Sequence, residues 1–337
     1  MKVLIYTELF NKIKKSGIGK ATEHQIKALE ENNVEVILDK NRINEVQIVH
    51  LNYYGIQSYF LAKKARKLNK KIIYNAHSTE EDFKNSFIFS NQIAPLFKKW
   101  ICKCYKQGDL IVTPTEYSKS ILENYNLDKP IKVISNGIDL NYIKKDKNMG
   151  EKFRKKYNIK KNEKVIISVG LYFKRKGLID FAKIAESMPE YKFIWFGYTP
   201  KIFLTSEIKN ILNKNIPNLI FAGYVEQDEL IKAYSGCDLF LFLTYEETEG
   251  IVLLEALASK AKILIRDIPI YSKEFIDGKN IYKGKTIDEF KKKIKLIVEN
   301  KVDDLTEEGY KVVQEKNLSH VGKELKELYL DAIKNKS

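Results

Sequence analysis

Two glutamates with seven residues between them, Glu247 and Glu255 in the run EETEGIVLLEALA (246–258), are residues whose types and spacing call for chemistry. Glu255 stands among Ile251, Val252, Leu253, Leu254, Ala256, Leu257 and Ala258, where an unpaired carboxylate is costly. It needs a hydroxyl-rich or cationic partner, and Gly250 at the start of the apolar run lets a ligand approach the backbone. Glu247 has a competing local explanation: Thr244 followed three residues later by Glu spells a capping box ahead of a helix.

Other candidates lie in short turns. LysArgLysGly (174–177) places Arg175 and Lys176 after an apolar run, and SerGlyIleGly (16–19) offers Gly17 and Gly19 where a backbone can come close to a ligand, although Gly-x-Gly alone is a weak signal. His77, in AlaHisSer, reads either as a hydrogen-bonded turn histidine or as a functional group at a strand end. No Asp-x-Asp occurs in the chain. The three cysteines, Cys102, Cys104 and Cys237, are an odd count without zinc or redox spacing, which predicts unpaired thiols in a reducing compartment.

Such residues need strands to carry them. Short β-rich runs alternate with helical patterns throughout, the mark of parallel βαβ architecture. One series holds VLIYT (3–7), VEVIL (34–38), VQIVHL (46–51), KIIYNA (71–76), DLIVTP (109–114) and IKVIS (131–135). The second holds KVIISVG (164–170), KFIWFG (192–197), NLIFAG (218–223), DLFLFL (238–243) and KILIR (262–266). A lysine-rich stretch at about 140–163 reads as the linker between them. The expected organisation is a Rossmann-like domain over 1–150, a second over 151–320, and a closing helix at 321–337 packing back on the first. At 337 residues the chain suits two cores, in two doubly wound α/β sheets whose ligand ends face each other across a cleft.

Composition narrows the classes. No apolar segment reaches the ~18 residues of a membrane span, and MKVLIYTE reads as a strand rather than a signal peptide, so a cytoplasmic protein is expected. A formal charge of +15 predicts attraction to something anionic: nucleic acid, an anionic membrane or a phosphorylated substrate. A plain lysine-rich solvated surface accounts for the same excess.

The run EETEGIVLLEALA resembles the signature of retaining nucleotide-sugar glycosyltransferases of family 4, group 1 type, which have the two-domain GT-B fold. The resemblance extends to SerGlyIleGly, AlaHisSer, ThrProThrGluTyrSer (113–118), IleSerAsnGlyIleAsp (134–139) and LysArgLysGly, in that order along the chain. It implies that Glu255 accepts hydrogen bonds from the nucleotide ribose and that Glu247 lies beside the donor sugar and reactive centre. Gly250 and Ile251 would open a helix toward the donor diphosphate, with Lys176 on its phosphates and His77 on the sugar. Gly17 and Gly19 would line the diphosphate and acceptor side. Where the family often has an arginine this chain has Leu171, and Arg175 or Lys174 is expected to compensate. No cofactor or metal is expected beyond the UDP-sugar donor, UDP-glucose or UDP-galactose. The resemblance further implies front-face substitution, with a donor phosphate oxygen taking the acceptor proton.

The acceptor is read from residues 77–109. Ile93, Leu96, Phe97, Trp100, Ile101 and Cys104 form one helical stripe, expected to pack on the sheet, while Phe87, Ile88 and Phe89 are surplus to it. Apolar residues beside Lys98 and Lys99 suit an interfacial anchor on an anionic membrane surface. HSTEEDFKNSFIFSNQ, GLYFKRKG, FIWFGYTP and EETEGIVLLEALAS together resemble bacterial enzymes that add a hexose to diacylglycerol or monoglucosyl-diacylglycerol. The reading is a peripheral membrane enzyme with a glycerolipid acceptor. A soluble or polyprenyl-linked glycan is the alternative acceptor. A nucleic-acid-binding protein is disfavoured, because no nucleic-acid module is present and the ordered motifs would be unexplained.

Overall fold

The computed structural model describes residues 1–334, so residues 335–337 of the expected closing segment lie outside the described residues. The chain divides into two compact units: 1–83, 92–139 and 315–337 form the first, 84–91 and 140–314 the second. The first boundary thus falls at 139/140, not 150/151. Residues 84–91, expected to serve the first domain, are counted with the second.

The first unit is built on strands β1 (Lys2–Tyr6), β2 (Glu35–Ile37), β3 (Ile48–Leu51), β4 (Lys71–Asn75), β5 (Leu110–Thr113) and β6 (Ile131–Val133). They form one sheet in the order β2-β1-β3-β4-β5-β6, every pairing parallel. Its helices are α1 (Phe10–Ile13), α2 (Gly17–Glu31), α3 (Ile56–Lys67), α4 (Glu80–Phe83), α5 (Ser90–Tyr105) and α6 (Glu116–Glu123). Parallel strands are covered on both faces, which is why they appear as nearly continuous apolar runs. One face packs Leu4, Val49, Ile72 and Ile111 against α3 and α5; the other packs Val3, Ile5, Ile48 and Ile73 against α2 and the C-terminal helix.

The second unit contains β7 (Val165–Val169), β8 (Lys192–Phe196), β9 (Leu219–Gly223), β10 (Leu239–Phe242), β11 (Ile263–Arg266) and β12 (Tyr282–Gly284) in the order β12-β11-β10-β7-β8-β9, again parallel. Around it run α7 (Lys147–Lys156), α8 (Leu178–Ser187), α9 (Ser206–Asn213), α10 (Gln227–Gly236), α11 (Ile251–Ala258), α12 (Ile287–Val298) and α13 (Thr306–Gln314). Helix α14 (Leu318–Lys334) then packs on α2, burying Leu318, Val321, Leu325 and Tyr329 in the first unit.

The stretch expected as a linker holds α7, which crosses α10. A Cβ on Gly150 would come 2.8 Å from the Ser235 carbonyl oxygen, and one on Gly236 would come 2.6 Å from that of Gly150. The paired glycines let the backbones meet, so the helix is buried at Phe153 despite its charged composition.

Candidate active site

In an open parallel sheet the ligand crevice forms where the strand order reverses, outside the strands' C-terminal ends. In the second unit that place lies between β7 and β10, so the loops following them should hold the chemistry. The loop after β7 carries Lys176 and the loop after β10 carries Glu247. Their side chains form an ion pair, both largely buried, and Thr244 Oγ1 donates a 3.0 Å hydrogen bond to the same Glu247 oxygen. The capping-box reading of Thr244 and Glu247 is corrected: the helix starts only at Ile251, and Thr244 serves the carboxylate.

Gly250 is the N-cap of α11, with φ +88°, and a Cβ there would come 2.8 Å from Tyr271 Oη. Both facts exclude larger residues. No side chain caps this end, which leaves the amides of the first turn, beginning at Ile251, to bind an anion. Just over one turn on, Glu255 is fully buried and accepts a 3.1 Å hydrogen bond from Tyr234 Oη. Burial and then the Glu255 charge raise the Tyr234 hydroxyl well above its ordinary pKa, keeping it a donor.

Arg175 is buried among the surrounding loops. Its Nε donates to Ser86 Oγ at 2.7 Å, its Nη1 to the Glu246 carbonyl at 3.2 Å, and its backbone N–H to the Asn85 carbonyl at 3.0 Å. It ties residues 85 and 86 to the loop before Glu247. Lys174 pairs with Glu207, and Leu171 is exposed.

The first unit reverses strand order between β1 and β3. Gly17 and Gly19 begin α2 after β1, with Ser16 as N-cap accepting from the Gly19 amide at 3.2 Å. A Cβ on Gly19 would lie 2.3 Å from the Ile13 carbonyl oxygen, so tight packing against α1 explains this glycine; at Gly17 the space is open. His77, two residues beyond β4, is buried, and burial lowers its pKa to about 4, leaving a neutral ring at pH 7. Its Nε2 is buried without a hydrogen-bond partner among the described residues. Such an atom fits a ligand hydroxyl better than a satisfied turn histidine.

The anchor residues separate. The Phe87 ring lies against Phe173 (6.5 Å) and Phe203 (6.3 Å), and the Ile88 amide donates to the Phe203 carbonyl at 3.2 Å, all within the second unit. Ile88 and Phe89 remain exposed. Lys98 is engaged by Glu80 (3.4 Å) and the Tyr125 ring (4.2 Å), whereas Lys99 is exposed. The expected stripe on α5 also divides: Ile101 and Cys104 are buried, but Ile93 and Leu96 face solvent.

Thr244 and Tyr234 hold the two glutamates; in the sequence Thr244 has only a capping role and Tyr234 none. A tyrosine in QDELIKAYSGC reads as helix core, and no local pattern places it opposite Glu255. Sequence reading also passes over Tyr198 and Tyr224, exposed rings directly after β8 and β9, whose signal is an aromatic following a strand-terminal glycine. Among the described residues no group of three or more His, Cys, Asp or Glu is placed to hold a metal ion.

Residues 17–142 match the family described as glycosyltransferase family 4, and residues 149–312 match glycosyl transferases group 1. The chain is 40% identical to a processive diacylglycerol alpha-glucosyltransferase of Acholeplasma laidlawii over 100% of both chains. It is 24% identical to an alpha-galactosylglucosyldiacylglycerol synthase of Streptococcus pneumoniae, over 72% of this chain and 66% of that one. In fold it is similar to Anabaena HepE, solved in complex with UDP and glucose, with a TM-score of 0.79 at 14% identity over 98% of this chain and 100% of the other. Two parallel six-stranded units and a 40%-identical relative matched end to end establish that the chain belongs to the group 1, family 4 glycosyltransferases and has their GT-B fold.

Proposed function

We propose that this chain is a retaining hexosyltransferase moving glucose or galactose from a UDP-sugar to a membrane glycerolipid, diacylglycerol or its monoglucoside. The observation that carries the reading is the meeting of Lys176, Glu247 and the uncapped N-terminus of α11 at the strand-order reversal of the second unit. A cation and free helix amides suit the diphosphate, and the carboxylates suit hydroxyls of the donor sugar and ribose. Tyr198 and Tyr224 offer flat faces for the base. The names of the relatives favour the lipid acceptor. In the reaction the acceptor oxygen attacks the sugar C1 on the face from which the diphosphate departs. The C1–O bond to phosphate breaks, and a leaving phosphate oxygen takes the acceptor proton. The test is incubation with UDP-glucose or UDP-galactose and each lipid in anionic mixed micelles, with identification of the glycolipid. Transfer to soluble or polyprenyl-linked glycans but to neither lipid would overturn the lipid reading.

Metal-independent transfer follows from the cationic side chain and helix dipole, which stabilise the departing charge directly. Activity in excess EDTA is expected to stay near its untreated level. Abolition with rescue by magnesium or manganese would refute this.

Peripheral attachment to an anionic bilayer is the accompanying proposal; no described helix is long and apolar enough to cross a membrane. In the first unit α3 and α5 lie side by side, Tyr59 against Trp100 at 5.8 Å, and expose Ile56, Phe60, Ile93 and Leu96 among Lys63, Lys64, Lys99 and Lys103. In the second unit Ile88, Phe89, Ile202 and Phe203 are exposed, and Phe89 is held at φ +64°, a strained conformation for a bulky residue. Apolar side chains beside lysines suit a headgroup boundary. Replacing Phe60 and Leu96 by serine is expected to reduce vesicle co-sedimentation even at low salt. Replacing Lys63, Lys64, Lys99 and Lys103 by glutamine should instead remove the preference for anionic over neutral liposomes. Wild-type protein that ignores anionic liposomes would sink the membrane reading.

A further inference from the structure

Glu247 sits on backbone that no regular element supports. Strand β10 ends at Phe242 and α11 starts at Ile251, and residues 243–250 between them form neither strand nor helix. A carboxylate serving a reactive centre has to be held within about 0.5 Å of its working position, so this loop must be fixed by its neighbours. The turn 174–177 is the closest of them: a Cβ on Gly177 would lie 2.2 Å from the Leu243 carbonyl oxygen.

Within that turn Arg175 bonds to the loop through both its backbone and its side chain. Its carbonyl accepts from the Tyr245 amide at 2.7 Å and from Thr244 Oγ1 at 3.3 Å, while its Nη1 donates to the Glu246 carbonyl at 3.2 Å. The three residues directly before Glu247 are thus all bonded to one residue. The Glu246 carbonyl belongs to the peptide that joins Glu246 to Glu247. Its orientation sets the direction in which the Glu247 side chain leaves the backbone.

Arg175 is itself fixed in place. Nε donates to Ser86 Oγ at 2.7 Å, the Arg175 amide donates to the Asn85 carbonyl at 3.0 Å, and the Phe173 ring lies 5.7 Å from Cζ. Residues 85 and 86 are braced in turn. The Asn85 amide donates to Asn91 Oδ1 at 2.8 Å, Asn91 Nδ2 donates to Asn85 Oδ1 at 3.1 Å, and the Ser86 amide donates to Ser90 Oγ at 3.3 Å. The other buried arginine at this loop, Arg266, serves a carboxylate: Asp180 Oδ2 accepts from both Arg266 Nη2 and Tyr245 Oη. Arg175 instead has two guanidinium nitrogens committed to a hydroxyl and to the peptide ahead of Glu247.

We infer that Arg175 is a positioning residue for Glu247 rather than a ligand of the diphosphate: through Nη1 it fixes the peptide between Glu246 and Glu247 and so aims the carboxylate, with Ser86 orienting the guanidinium. The inference rests on the proposed place of Glu247 beside the reactive centre. It gives Ser86 a part in catalysis without contact to substrate, and it ties the loop bearing Glu247 to the segment that exposes Ile88 and Phe89.

The variants are Arg175→Met and Ser86→Ala, the second a milder change that serves if the first does not fold. With UDP-glucose and diacylglycerol in anionic mixed micelles, Arg175→Met is expected to lower kcat about 100-fold, the usual result of displacing a reacting group by about 1 Å. KM for UDP-glucose and the calorimetric Kd for UDP should stay at their wild-type values. Ser86→Ala should lower kcat less, with the same split. In a Glu247→Gln background Arg175→Met should cost nothing further, because the group it positions has already been disabled. A rise in KM or Kd in Arg175→Met would mark a diphosphate ligand and overturn the inference, as would a kcat loss that persists in full beside Glu247→Gln. A lowered melting temperature with wild-type kcat would make Arg175 structural only and overturn it too.

Hydrogen exchange needs no acceptor. The amides of 244–250 are expected to exchange about tenfold faster in Arg175→Met than in wild type, the effect of one lost hydrogen bond, while those of the sheet do not change. This holds for the loop even if Glu247→Gln proves fully active, the result that would remove Glu247 from the reactive centre and sink the reading on which the inference rests. Unaltered exchange overturns the inference whatever the turnover.

Discussion

Replacing Lys176 by alanine is expected to lower turnover about 10²- to 10³-fold, the usual loss when a group stabilising developing negative charge is removed. Lys176 is paired with Glu247, and this pair is mostly buried. Alanine therefore also leaves the Glu247 carboxylate with Thr244 as its remaining hydrogen-bond donor, at a stability cost of about 3 kcal/mol. The two effects separate in a double variant. Lys176→Ala with Glu247→Gln removes the uncompensated charge and should recover most of the melting temperature while turnover stays low. Recovery of turnover along with stability would show that the pair is structural. Near-normal turnover in Lys176→Ala alone would remove the lysine from the diphosphate site.

Glu255→Ala is expected to weaken UDP binding ~10- to 100-fold, because a hydrogen bond to a charged group is worth ~1.5–3 kcal/mol and the ribose loses its acceptor. Tyr234→Phe keeps the carboxylate and removes the hydroxyl that orients it, so its effect on UDP affinity should be smaller and in the same direction. Calorimetry with UDP reads both. Unchanged affinity in Glu255→Ala would sink the ribose assignment, and the buried carboxylate would then serve only the packing around Tyr234.

Which residues were legible in sequence depends on how far their reasons extend along the chain. A carboxylate inside IVLLEALA is conspicuous within one helical turn, so Glu255 could be singled out without a fold. Thr244 and Glu247 show the opposite case. Their three-residue spacing has a familiar local meaning, yet Gly250 delays the helix to Ile251 and the pair is used otherwise. The partner of Glu247 is Lys176, 71 positions away, and no local pattern announces it. β12 is not legible in the sequence because YKG is three residues long with a lysine at its centre, and its place as a strand comes from pairing with β11. Helix α7 reads as linker in the sequence because a helix so rich in lysine shows its apolar side only once Gly150 meets α10.

The sequence by itself determined the alternation of strands and helices, because strands buried on both faces must be apolar along their length and the connecting helices on one side only. It also determined the charge, the absence of Asp-x-Asp and the seven-residue spacing of the glutamates. Tertiary structure alone decided which loops meet, because strand order is a property of the assembled sheet. The reversal between β7 and β10 brings Lys176 to Glu247. Packing of α14 on α2 brings Tyr329 to Gln25, 304 positions away. Hydrogen bonds act over about 3 Å regardless of sequence separation, so such partnerships exist only once the chain has folded.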